Sequence, residues 1–96
     1  MEFNTTEEII QDIAAGKMVI LLDDEDRENE GDLVCAAELV DDKKINFMIS
    51  KARGLVCLPL SPQKCDQLNL PMMTNNNRAK HGTGFTVSIE AAEGIS

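Results

Sequence analysis

The stretch DDEDRENEGD, residues 23–32, separates two apolar segments and decides how the first half of the chain folds. Seven of its ten side chains are carboxylates, and Arg27 is its only cation. MVILL precedes it at 18–22, and LVCAAEL follows it at 33–39. Apolar runs joined by a compact polar connection are typical of paired strands, although periodicity alone does not exclude a helix for the second run. We therefore predict two strands flanking an acidic loop.

The rest of the sequence alternates helix and strand signals. Thr5 and Glu8 have capping-box spacing, and Gly16 is suited to the left-handed residue that ends a helix. Three helices are predicted: one over roughly 5–15, one from near Asp42 to a stop at Gly54, and one opened by Ser61-Pro62 and ended by Pro71. Four strands are predicted, at 18–22, 33–39, 55–60 and 85–91. This order predicts an α+β fold, a mixed sheet with helices packed on it.

Charge, apolar runs and cysteines indicate which partners and which cellular compartment suit the chain. The 96 residues carry 17 acidic and 9 basic side chains, a net charge of −8, which argues against nucleic acid and anionic membranes as partners. No apolar run approaches the ~20 residues of a membrane span, and no leader segment is evident. Cys35, Cys57 and Cys65 are odd in number and lack CxxC spacing. These features predict a cytoplasmic protein without a disulfide framework.

The acidic stretch has a plain interpretation as a solvated charge run and a functional one as a site. Gly31 permits a tight turn that would bring carboxylates together, and a cluster of carboxylates suits a hard cation such as Mg²⁺ or Mn²⁺. A calcium loop counted from Asp26 fails because its twelfth position is Ala37. Arg27 has two interpretations: it ties the cluster together, or it presents its guanidinium to a phosphate or carboxylate of a substrate.

Other candidates carry weaker signals. His81 is the only histidine, so the chain has no histidine-based metal site of its own. HGTG at 81–84 could offer backbone N–H groups to an anion but lacks a phosphate-loop pattern. Cys57 is most simply a small buried apolar residue, and Asn75 to Asn77 are turn formers.

Several motifs together carry a resemblance to a known family. They are DEDRENEGD after an apolar strand, RGLVCLPL at 53–60, LPMM at 70–73 and HGTGFTVSIEAAEGIS at 81–96. In this order they resemble the 3,4-dihydroxy-2-butanone 4-phosphate synthases of riboflavin biosynthesis, over nearly the whole chain. The resemblance implies a lyase that converts D-ribulose 5-phosphate to L-3,4-dihydroxy-2-butanone 4-phosphate and formate. It also implies an α+β homodimer that requires Mg²⁺ or Mn²⁺.

The resemblance assigns site residues by position. Arg27 and Glu28 match the Arg and Glu that contact the substrate in the family, and Glu28 matches a metal ligand. Asp32 matches a further residue that contacts the substrate. Glu30 and Cys57 align with other active-site positions.

The family's domain continues beyond the last motif found here. Its later part carries a second metal ligand, a histidine in an RxGHT-like segment, and a catalytic glutamate, and His81 matches neither. Residues 1–96 are therefore expected to be the N-terminal part of one synthase domain, inactive if isolated. Two alternatives remain open: a non-catalytic module that binds a divalent metal, and an interaction domain with a solvated acidic face.

Overall fold

The computed structural model describes residues 2–74 and 84–94. The chain forms two compact units, Met1–Leu58 and Pro59–Ser96. The described elements of the first unit are α1 (Thr6–Ala14), β1 (Val19–Leu22), β2 (Gly31–Val34), a 3₁₀ turn (Ala37–Leu39), α2 (Asp42–Phe47) and a π-helical turn (Met48–Ala52). In the second unit, α3 spans Pro62–Gln67.

The first helix begins and ends as its sequence predicts. The Thr5 hydroxyl accepts a hydrogen bond from the Glu8 N–H at 3.1 Å, and the Thr5 N–H donates to the Glu8 carboxylate at 3.0 Å. At the other end Gly16 has a φ of 84°, and the Lys17 N–H reaches back to the Asp12 carbonyl at 2.9 Å. Both ends therefore satisfy backbone groups that a helix terminus leaves unpaired.

The predicted strand pair is confirmed as an antiparallel hairpin. Val19 pairs with Val34 and Leu22 with Gly31, in register along the four positions of each strand. Helix α1 packs against β1, and Val19 is the buried apolar residue of the described chain, at 6% exposure. The hairpin and α1 are therefore the best-packed part of the first unit.

The second strand differs from its prediction. It starts at Gly31, inside the acidic stretch, and ends at Val34, after which the chain turns into 3₁₀ geometry. Gly31 permits this start because a Cβ there would lie 3.0 Å from Leu22 Cδ2 and 3.3 Å from Ile20 Cγ2. The missing side chain thus lets the ladder continue into the acidic stretch.

The second helix starts at the predicted residue but ends differently. Asp41 caps it by accepting the Lys44 N–H at 2.8 Å. The helix then widens, and the Arg53 N–H bonds to the Met48 carbonyl five residues earlier, at 3.1 Å. Arg53 takes the left-handed conformation, with φ 56°, so the predicted stop at Gly54 is wrong by one residue. The wider π turn has absorbed the extra residue.

Two predicted strands are absent from the described residues. Residues 55–60 have no regular structure, and residues 85–91 contribute a single bridge, Met72 with Thr86. Two hydrogen bonds flank that bridge: Met73 N–H to the Phe85 carbonyl at 2.8 Å and Val87 N–H to the Pro71 carbonyl at 2.9 Å. A strand requires a partner along its length, and neither segment has one among 2–74 and 84–94.

The third helix is confirmed, with Ser61 as its cap and Pro62 in its first turn. It ends at Gln67, and Asn69 takes the left-handed conformation, φ 54°, before Pro71 is reached. Helices together with an antiparallel sheet make the fold α+β, as predicted. The sheet described here has two strands and no parallel pair. Within the described part of the chain, no helix has the length and apolar character needed to cross a membrane.

Helix α1 generates a prediction about pH. The Glu8 pKa lies below its usual value, chiefly because the Thr5 N–H donates to the carboxylate, with smaller contributions from the Thr5 hydroxyl and the Asn4 amide. A depressed carboxyl pKa adds stability above the unfolded value of 4.5, and that stability is lost as pH falls through the folded pKa. We expect Glu8→Gln to lower the protection of the α1 amides against hydrogen exchange near neutral pH. In acid, the protection in this variant should equal that in the native protein.

Hydrogen exchange of the α1 amides between about pH 6 and 3 measures this effect. Glu7→Gln is the matched control, since Glu7 lies in the same turn and makes no described side-chain hydrogen bond. An equal loss of protection at all pH values would contradict the prediction.

Candidate active site

The acidic loop is an extension of the hairpin. The Asp23 N–H donates to the Glu30 carbonyl at 2.8 Å, which adds one more rung to the ladder beyond Leu22 and Gly31. Inside that rung the Asp24 carbonyl accepts the N–H groups of Arg27, at 3.0 Å, and Asn29, at 3.1 Å. The loop is therefore a compact turn whose ends are held by the sheet.

Asn29 reverses the chain between two predicted site residues. Its φ is 52°, a left-handed conformation that asparagine adopts more readily than most residues. Glu28 lies before this reversal, and Glu30 lies after it on the ladder. Glu28 therefore belongs to the turn, whereas the Glu30 backbone belongs to the hairpin ladder.

The Asp23 carboxylate is the hub of the loop. Its Oδ1 accepts the Asp24 N–H at 2.9 Å, and its Oδ2 accepts both the Glu28 N–H at 3.1 Å and Arg27 Nη1 at 2.7 Å. These donors lower the Asp23 pKa, the Asp24 N–H most of all. The side chain is 23% exposed, which makes it less accessible than those of Arg27 and Glu28.

Arg27 joins the two carboxylates that flank it. Its Nη1 lies 2.7 Å from Asp23 Oδ2 and 2.6 Å from Glu28 Oε1. The hydrogen bond to Asp23, followed by the charges of both partners, raises the Arg27 pKa. The side chain is 48% exposed, and ion pairs this accessible contribute little to stability because water and salt screen them. Arg27 therefore ties the cluster together, while its other nitrogens make no hydrogen bond in the described chain.

The predicted site residues are only partly brought together. Arg27 and Glu28 are in contact. Asp32 lies in β2 opposite Leu21, so its position shares a face of the ladder with Val19. Glu30 and Asp32 are exposed, and neither side chain makes a hydrogen bond or ion pair within the described chain.

Cys57 differs from its prediction. It is exposed rather than buried, and its Sγ lies 4.0 Å from the Leu55 carbonyl oxygen. The segment around it lacks the strand that would have buried it, because residues 55–60 have no ladder partner. The Cys57 thiol is therefore accessible to solvent.

The carboxylates do not converge on one point. Among residues 2–74 and 84–94, no group of three or more His, Cys, Asp or Glu side chains is placed to hold a metal ion. The donor chemistry of Glu28 nevertheless fits Mg²⁺, since its oxygens are hard ligands and its side chain is 41% exposed. Glu28 fits as one ligand of a site completed by other donors. His81 and Asn75 to Asn77 lie outside the described residues.

Asp23 is an organising residue of the loop that is not among the sites predicted from sequence. The available signal was an aspartate at the end of an apolar strand followed by a polar turn, where side chains commonly accept backbone N–H groups two residues on or further. That signal is weak here, because Asp24 and Asp26 are aspartates of the same polar turn.

Comparisons with known proteins agree with the motifs. A family model described as 3,4-dihydroxy-2-butanone 4-phosphate synthase matches residues 7–96. The 3,4-dihydroxy-2-butanone 4-phosphate synthase of Pseudomonas aeruginosa is 59% identical over 96 residues, which are 100% of this chain and 26% of that protein.

Two crystal structures are similar to this chain. RibBX, a two-domain 3,4-dihydroxy-2-butanone 4-phosphate synthase from A. baumannii, is 64% identical with a TM-score of 0.82, covering 97% of this chain and 27% of that one. A 3,4-dihydroxy-2-butanone 4-phosphate synthase in complex with two magnesium ions is 41% identical, with a TM-score of 0.88. The match covers 95% of this chain and 42% of that one.

The chain thus spans about a quarter of the length of the curated relatives it matches. The family match extends from α1, through the acidic loop, to the last residue. This chain therefore belongs to the 3,4-dihydroxy-2-butanone 4-phosphate synthase family.

Proposed function

We propose that the protein containing this chain is a lyase of riboflavin biosynthesis that converts D-ribulose 5-phosphate to L-3,4-dihydroxy-2-butanone 4-phosphate and formate. The observation that carries the proposal is the family match over residues 7–96, which includes the whole acidic loop. The proposed protein is a cytoplasmic homodimer. Its net charge of −8 over this segment favours a small-molecule substrate over nucleic acid or anionic membranes.

The proposed chemistry requires repeated proton transfers next to developing negative charge. A bound divalent ion, Mg²⁺ or Mn²⁺, stabilises that charge. Glu28 is proposed as its ligand, which is supported by the exposed hard oxygens of Glu28 and by the relative crystallised with two magnesium ions. Asp32, Glu30 and Cys57 are proposed as the other catalytic groups. The exposure of all three allows them to reach a bound substrate.

Arg27 is proposed to bind the substrate. Its Nη1 is occupied by Asp23 and Glu28, and its remaining N–H donors are suited to a phosphate or a hydroxyl oxygen. Because Asp23 and Glu28 hold the guanidinium in place, little side-chain freedom is lost when the substrate binds. The two interpretations of Arg27 are therefore compatible: the residue ties the loop together and faces the substrate.

Both units are proposed to belong to one synthase domain with a mixed sheet, completed by chain outside this segment. Ile20, Leu55 and Ile89 are 63%, 82% and 62% exposed in the described structure. Apolar side chains this accessible are typical of surfaces that another part of a protein covers. On this proposal the isolated segment is inactive, because residues 2–74 and 84–94 bring no further metal ligands to Glu28.

We expect Glu28→Gln, in the full-length protein, to lower the rate of formate release from D-ribulose 5-phosphate by at least about 10²-fold, because the amide is a poor metal ligand and cannot transfer protons. The assay compares formate produced with Mg²⁺ and with EDTA. Glu25→Gln is the matched control, since it removes a charge from the same loop, whose described side-chain hydrogen bonds belong to Asp23, Asp24, Arg27 and Glu28. Metal binding without formate from the native protein would instead support a non-catalytic metal-binding module.

We expect Arg27→Lys to raise the KM for D-ribulose 5-phosphate by roughly 10-fold or more, since a lysine ammonium cannot contact Asp23, Glu28 and a substrate oxygen in one planar arrangement. Steady-state kinetics measure the change. Lys17→Gln is the control, because Lys17 pairs with Asp12 outside the loop at 3.9 Å. An unchanged KM in Arg27→Lys would remove Arg27 from the substrate site.

A further inference from the structure

Asp23 combines an anchored backbone with a side chain that reaches two proposed site residues. Its N–H is bonded to the Glu30 carbonyl at 2.8 Å, next to the last pair of the hairpin ladder. Its position is therefore set by the sheet and not by the turn. Because the Asp23 backbone is fixed in the ladder, its carboxylate can restrict the movement of the loop residues that it contacts.

The Asp23 side chain closes a ring of contacts with Arg27 and Glu28. Asp23 Oδ2 accepts Arg27 Nη1 at 2.7 Å, Arg27 Nη1 contacts Glu28 Oε1 at 2.6 Å, and the Glu28 N–H returns to Asp23 Oδ2 at 3.1 Å. Asp23 Oδ2 thus holds the Glu28 main chain directly and the Glu28 side chain through Arg27. Neither the guanidinium nor the Glu28 carboxylate can reorient without breaking a contact to this ring.

The other acids in the turn lack this arrangement. The Asp24 side chain accepts only the nearby Asp26 N–H, at 2.8 Å. Glu25 and Asp26 make no side-chain hydrogen bond in the described chain. The negative charge of the loop is therefore shared by several residues, whereas the link from the sheet to Glu28 belongs to Asp23.

We propose that Asp23 is a positioning residue of the synthase site, which fixes Arg27 and Glu28 in the orientation that metal and substrate binding require. It acts through those two residues and is not itself a ligand. The inference rests on the proposed function for its effect on turnover, while its effect on the loop is independent of that function. Residues that orient metal ligands typically contribute about 10–100-fold to metal affinity or activity.

The test uses the full-length protein with Asp23→Ala, Asp23→Asn and the charge-matched control Glu25→Gln. Mn²⁺ binding is followed by the electron paramagnetic resonance signal of the free ion, and formate release is measured in parallel. We expect Asp23→Ala to weaken Mn²⁺ affinity and turnover about 10–100-fold, and Glu25→Gln to change neither by more than about 3-fold. Asp23→Asn should have Mn²⁺ affinity and turnover between those of Asp23→Ala and the native protein. Its amide oxygen can accept the donors of one carboxylate oxygen, whereas its amide nitrogen accepts no hydrogen bond.

A double-variant comparison separates positioning from general destabilisation. If Asp23 acts through Glu28, adding Asp23→Ala to Glu28→Gln should weaken Mn²⁺ binding further by less than about twofold. The reason is that the effects of substitutions at residues in contact do not add. A purely structural role would instead add its full effect to that of Glu28→Gln. Native Mn²⁺ affinity in Asp23→Ala, or full additivity, would overturn the proposal.

Hydrogen exchange of the Glu28 amide tests the same proposal without metal or substrate. The amide should exchange faster in Asp23→Ala than in Glu25→Gln, while the amides of β1 keep their protection. Faster exchange in Asp23→Ala, when the native full-length protein itself releases no formate, would support the positioning role and refute the proposed function. Unchanged exchange in an active enzyme would refute the positioning role alone.

Discussion

The pairing of β1 with β2 is the constraint on which the rest of the first unit depends. Four residue pairs, from Val19 with Val34 to Leu22 with Gly31, set the register, and the Asp23–Glu30 hydrogen bond extends it into the acidic stretch. A shift of one residue would turn every side chain to the opposite face, taking Val19 out of the packed face. The same shift would move Asp23 off the position from which its carboxylate reaches Arg27 and Glu28. The apolar packing and the acidic site thus share one register.

Backbone N–H groups stabilise part of the negative charge of the loop, on Asp23 and Asp24. Seven carboxylates share one guanidinium, so ion pairing alone cannot balance them. The N–H groups of Asp24, Asp26 and Glu28 all donate to carboxylates within the turn, and charge-assisted bonds of this kind are stronger than neutral ones. The remaining acids point into solvent, where repulsion is screened. Glu28 therefore presents a free carboxylate oxygen while its backbone and one oxygen are held.

The elements that could be predicted are those whose signals lie within a few residues. Each helix start is set by a capping contact between residues three apart: Thr5 with Glu8, Asp41 with Lys44, and Ser61 with Lys64. The segments 55–60 and 85–91 have equally clear apolar patterns but no full strand among the described residues. A strand depends on a partner that its own residues do not encode. Arg53 is an intermediate case, since the wider π turn moved the helix end by one residue.

The sequence by itself determined the family, the helix starts, the hairpin and the identity of the acidic residues, because these follow from local spacing and from motifs read in order. Only the tertiary structure decided which carboxylates act together. The ladder brings Asp23 opposite Glu30, and the left-handed Asn29 returns the Glu28 N–H to the Asp23 side chain. Seven chemically similar residues cannot be ranked from composition. Their roles depend on backbone N–H groups whose directions are set only when the chain has folded.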